Sequence, residues 1–155
     1  MDINEVFKRI TDIAEESKRL LKETGYMEYG EYEADDMEAV KSDPDLYQKY
    51  YTAVYCLSQL ETITAKTEYL KRPVKYKGIL YYDYGRGRYC MGDREFHCGD
   101  SMEVLLYDNL SEHYYWAYTS IEKSFDVDRE YNKEGYYLAN YPWAEMEGLE
   151  ARVRG

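Results

Sequence analysis

The chain has 155 residues with a formal charge of −11, and 21 of them are tyrosine against three phenylalanines and two tryptophans. That length supports one compact domain or a small domain with an extension, and the acidic balance argues against nucleic acid and for basic partners. No apolar run approaches the about 20 residues that span a bilayer, and Met1-Asp2-Ile3-Asn4-Glu5 lacks the basic start and apolar block of a signal peptide, so a cytoplasmic protein is expected.

The first segment reads as an amphipathic helix. Ile3, Val6, Phe7, Ile10, Ile13, Ala14, Leu20 and Leu21 follow helical spacing. Asp2 can cap its start, with Glu5 placed as in a capping box, and Thr24-Gly25 supplies the stop. A second helix is expected from Asp43-Pro44, because aspartate at N-cap and proline at N1 suit a helix start. Tyr47, Tyr50, Val54, Leu57, Leu60, Ile63 and Leu70 supply its apolar positions, and Pro73 must end it.

Between the helices the charge concentrates. Residues 23–45 hold nine acids (Glu23, Glu28, Glu31, Glu33, Asp35, Asp36, Glu38, Asp43, Asp45) against Lys41, a net −8 of the chain's −11. A short helix is expected around Asp36–Lys41. Tyr26, Tyr29 and Tyr32 recur at every third position, each near a glutamate. Such a stretch is either a solvated connector or a surface that occupies a basic groove, with carboxylates standing in for phosphates and tyrosines for bases. The repeated tyrosines point to the second reading, since a tyrosine can bury its ring and keep its hydroxyl wet. The binding residues are then Tyr26, Glu28, Tyr29, Glu31, Tyr32, Glu33, Asp35 and Asp36.

After Pro73 the pattern turns to short strands, expected at 77–84, 86–91, 94–98, 101–107, 113–121, 135–140 and 149–154. Turns are expected at Tyr84-Gly85, Gly92-Asp93, Gly99-Asp100 and Asp108-Asn109. The charged segment 122–134 reads as a hairpin tip or loop. Strands so closely spaced suggest a small antiparallel barrel or a strongly bent sheet.

Catalytic and cofactor signatures are sparse. Cys56, Cys90 and Cys98 are an odd set, expected as free thiols. Cys90, His97, Cys98 and His113 are the candidate zinc ligands. A two-residue turn at Gly92-Asp93 would pair Cys90 with Glu95 and Gly87 with Cys98. Cys90 then lies diagonal to His97 while Cys98 points to the other face. Two converging ligands fall short of a site, so the spacing favours a buried thiol and a surface histidine over zinc. A cysteine–histidine dyad fails on the same alternation. Gly85-Arg86-Gly87-Arg88 lacks the ending of a phosphate loop and reads as a hairpin turn, and Asp126-Val127-Asp128 reads as solvated acid rather than a cation site. The alternatives to an acidic binder are a zinc-stabilised adaptor domain and a nucleic-acid-binding barrel face built from Arg86, Arg88, Arg94, Arg152 and Arg154 beside Tyr81, Tyr82 and Trp116. A pI near 4.7 opposes the latter.

Several short motifs then line up. Lys71-Arg72-Pro73-Val74 leads to Gly78-Ile79-Leu80-Tyr81, Gly87-Arg88-Tyr89, Phe96-His97-Cys98-Gly99 and Met102-Glu103-Val104-Leu105. Trp116, Tyr136-Tyr137-Leu138 and Gly148-Leu149-Glu150-Ala151-Arg152-Val153-Arg154 follow. Over roughly residues 60–155 this order resembles a family of short bacterial β-barrel domains of unknown function, frequent in gut bacteria and mobile elements. The resemblance implies an SH3-like barrel and carries no chemistry. An α+β protein is therefore expected, with an N-terminal helical pair (1–72) packed on a small C-terminal antiparallel SH3-like barrel (73–155). The expected function is a non-enzymatic inhibitor or adaptor that binds a basic protein surface. The mobile-element context makes a bacterial defence nuclease, as for anti-CRISPR inhibitors of Cas effectors, the most concrete target.

Overall fold

A computed structural model describes residues 1–124 and 132–155. The chain is α+β, a helical region followed by antiparallel sheets, and it divides into two compact units, Met1–Arg72 and Pro73–Gly155. None of the described helices is long and apolar enough to cross a membrane.

In the helical unit, α1 spans Ile3–Glu23, α2 Tyr26–Tyr29, α3 Met37–Ser42 and α4 Pro44–Lys71. Their ends follow from capping chemistry. The Asp2 carboxylate accepts from the Asn4 and Glu5 amides at 2.8 and 3.0 Å. Only that half of the capping box forms, because the Glu5 side chain turns to Arg9 instead. Gly25 follows α1 at φ 73°, a left-handed conformation that glycine adopts without a Cβ clash. Asp36 caps α3 and Asp43 caps α4, where Pro44 occupies the first turn. The one-turn α2 has no counterpart in the expected pattern.

The long helices α1 and α4 run antiparallel. The Thr64 hydroxyl donates to the Ala14 carbonyl at 3.5 Å, and Lys71 and Lys18 pair with Glu15 and Glu68 at 2.6 and 3.9 Å. Their shared core is small: Leu21, Tyr26 and Leu57, with Tyr32 and Leu60 packed against it. Much of the expected apolar stripe is outside that core. Ile3, Ile10, Ile13 and Leu20 on α1, and Tyr47, Ile63 and Leu70 on α4, stay exposed.

The second unit contains β1 (Val74–Ile79), β2 (Tyr81–Asp83), β3 (Arg88–Met91), β4 (Arg94–Glu95), β5 (Ser101–Asp108), β6 (His113–Lys123), β7 (Tyr136–Leu138) and β8 (Glu150–Arg154). They form a five-stranded sheet in the order β1-β8-β5-β6-β7 and a three-stranded sheet β2-β3-β4. The strand expected at 77–84 starts earlier, at Val74, and is divided at Leu80. There the Leu80 amide donates to the Leu149 carbonyl, and the Gly148 amide donates to the Leu80 carbonyl, both at 2.9 Å. These bonds anchor a fully buried side chain where the strand passes from one sheet to the other.

Alternation along the strands builds the core. Met102, Val104 and Leu106 of β5, Ala117 and Ile121 of β6, and Ala151 and Val153 of β8 all turn to one face. Three tyrosines complete it. Tyr89 packs edge-on against Tyr82 and Tyr136, with centroids 5.3 and 5.8 Å away, and its hydroxyl accepts from the Lys133 amide. Burial pushes its phenol above the ordinary value. Of the segment expected as a loop at 122–134, β6 reaches Lys123 and a 3₁₀ turn covers Lys133–Gly135. Asp126, Val127 and Asp128 lie outside the described residues.

Candidate partner-binding surface

The acidic segment carries local structure at both ends, α2 and α3. After Gly25 the chain makes one helical turn, Gly30 takes φ 71°, and residues 31–35 lead to the Asp36 cap. All nine carboxylate-bearing residues of 23–45 are exposed, and among the described residues none of the nine is ion-paired. Two serve the backbone: Asp36 accepts from the Ala39 amide at 3.0 Å, and Asp43 from the Asp45 and Leu46 amides. Glu28, Glu31, Glu33 and Asp35 have no such duty.

The three tyrosines do not share a surface. Tyr26 is buried against Leu21 and Leu57, so its ring belongs to the helical core. Tyr29, one turn later, is 71% exposed beside Met27 at 51%. Tyr32 is half-buried, its ring 5.9 Å from that of Tyr50, and the Tyr50 hydroxyl donates to the Tyr32 carbonyl at 2.9 Å. The available surface is therefore Met27, Glu28, Tyr29, Glu31, Glu33 and Asp35, with Asp36 at its edge.

The arginines of the alternative reading are dispersed and engaged. Arg152 and Arg154 lie on the five-stranded sheet, where both bond the buried carboxylate of Glu103. The Arg152 guanidinium also stacks 4.0 Å from the Trp116 ring centroid. Arg86, Arg88 and Arg94 belong to the three-stranded sheet and its turn. Arg86 is near Asp83 and Cys90, Arg88 faces Glu95, and Arg94 sits against the rings of Tyr76 and Phe96. Tyr82 is buried. The Glu103 cluster lies outside the expected site: alternation puts Arg152 and Arg154 on one face of β8, and the β5–β8 pairing brings Glu103 beside them.

The zinc candidates separate. Cys90 does pair with Glu95 across the Gly92-Asp93 turn, but β4 ends there and the Gly87–Cys98 pairing does not form. Instead the Asp100 carboxylate accepts from the His97 amide at 2.8 Å, and the Gly99 amide donates to Ile121, turning the chain into β5. Cys90 is fully buried, while His97 is exposed between Glu95 and Asp100, each 3.6 Å away. Cys98 donates to Glu122 and His113 starts β6. Among the described residues no three histidine, cysteine or acidic side chains converge to hold a metal.

Residues 78–153, from the end of β1 into β8, match the model of a domain of unknown function, DUF5348, which thus covers the C-terminal half. The acidic surface lies outside it. A search of curated proteins found no match, and a search of solved structures found none.

Proposed function

We propose that the chain is a cytoplasmic, non-enzymatic inhibitor or adaptor whose acidic segment occupies a basic groove on a partner protein. The observation that carries this reading is the run of solvent-facing carboxylates around the exposed Tyr29, without ion pairs among the described residues and flanked by capped helices. Fixed carboxylates steer a basic partner from a distance, and an exposed ring gives the encounter an apolar contact. A groove that otherwise holds nucleic acid has the required charge, so the concrete target is a defence nuclease such as a Cas effector. The strand that crosses between sheets at Leu80 supports an SH3-like barrel as the accompanying scaffold.

The reading is tested by a low-salt mobility shift with DNA and RNA, alongside capture of partners on the immobilised chain. It expects no shifted nucleic acid and retention of basic proteins that salt releases. A salt-sensitive complex with nucleic acid itself would replace it with the arginine-based alternative.

A further inference from the structure

The helical unit leaves apolar side chains exposed on one side. At about 100° per residue, Ile13 and Leu20 lie on the flank of α1 opposite Glu15 and Lys18. The Glu15–Lys71 and Lys18–Glu68 pairs close one side of the α1–α4 hairpin. Ile63 and Leu70 lie on the flank of α4 away from Glu68, so both helices contribute apolar side chains to the other side. Ile3, Ile10, Ile13 and Leu20 remain 75%, 39%, 58% and 43% exposed, and Ile63 and Leu70 37% and 47%. Meanwhile the hydrophobic residues buried in this unit are only Ala14, Leu21, Tyr26 and Leu57. Small units with so little core commonly gain stability from association.

We propose that a second copy of the chain covers this side, with α1 antiparallel to α1 of the other copy across a two-fold axis. The sequence of α1 is self-complementary in that arrangement. Positions 3, 6, 10, 13, 17 and 20 alternate steps of three and four, the seam spacing of packed helices. Antiparallel pairing sets Ile10 against Ile13 and Ile3 against Leu20, each twice by symmetry, while Ser17, buried within its own unit, stays out of the contact. The same register brings Arg9 beside Glu16, again twice, on the flank of the seam. Both are exposed, and among the described residues their ion partners are neighbours on their own helix. The next pair outward, Asp2 with Glu23, is like-charged, but the Asp2 carboxylate is occupied in capping α1. Apolar matching and alternate charge thus specify a copy of this same helix.

Sedimentation equilibrium of the full chain tests this. The expected mass is twice the 18.5 kDa of one chain. Ile13→Asp, at an exposed position, should give the monomer with an unchanged circular dichroism spectrum. Arg9→Glu should raise the dissociation constant roughly tenfold, and adding Glu16→Arg should restore it. A wild-type monomer at about 100 μM, or a dimer indifferent to Ile13→Asp, overturns the proposal. Failure of the double exchange to restore association overturns the antiparallel register.

Discussion

Glu103 and Arg152 stand directly opposite each other across the β5–β8 pair, on the face of the sheet turned away from the core. Glu103 also accepts from Arg154 at 3.1 Å, and its side chain is only 5% exposed. One carboxylate therefore bonds two largely covered guanidiniums. Glu103→Ala leaves both without that partner and should cost about 3–5 kcal/mol in urea unfolding. A loss below about 1 kcal/mol would mean that the pair behaves as a solvated one.

The two roles of the acidic residues separate by substitution. Asp36→Ala removes the cap of α3 and should cost about 1 kcal/mol of stability, whereas Asp35→Ala should change it by less than about 0.5 kcal/mol. Thermal unfolding of the two variants reads the difference. For this reason charge reversal of the binding surface is placed at Glu31, Glu33 and Asp35 and spares Asp36.

Tyr26 and Tyr29 should also part company. Tyr26→Ala opens the core around Leu21 and Leu57 and should destabilise the helical unit by about 3–5 kcal/mol, seen as loss of helical circular dichroism at lower temperature. Tyr29→Ala should leave the melting curve in place and weaken partner binding alone. Equal melting curves for both variants would contradict the assigned burial.

What the sequence discloses here is mostly local. Asp2, Thr24-Gly25 and Asp43-Pro44 act on backbone groups within a few residues, so both long helices are legible from them. The Gly92-Asp93 turn likewise sets Cys90 opposite Glu95. The continuation to Cys98 is not legible, because the Asp100 carboxylate on the His97 amide and the Gly99 amide on the Ile121 carbonyl turn the chain into β5 after Phe96. Spacing misleads at Tyr26, Tyr29 and Tyr32 for a related reason. A period of three marks one face only along a continuous helix, and Gly30 ends α2 after one turn. The Glu103 cluster depends on β8 lying between β1 and β5, a long-range pairing that no local pattern states.

Acid sensitivity has a specific source at Asp108. The Leu110 amide first, then the Ser111 hydroxyl, hold its carboxyl below the ordinary value of 3.8. A depressed native pKa contributes stability that is fully present above that ordinary value and is lost as pH falls through the native one. Asp108→Asn keeps an acceptor oxygen without a titrating group. Its stability should therefore fall less steeply below pH 3.8 than that of the wild type, as read by urea midpoints across pH. Parallel acid limbs would assign the effect elsewhere.

The most direct measurement of the central proposal is binding of a defence nuclease, such as a Cas effector, to the immobilised wild-type chain and to its Glu31→Lys, Glu33→Lys, Asp35→Lys variant. The wild type should bind with an affinity that falls as salt rises and should be displaced by the effector's nucleic acid, while the variant loses at least about tenfold with its fold intact. Equal affinity of the two chains for the nuclease, or no binding by either, would contradict it.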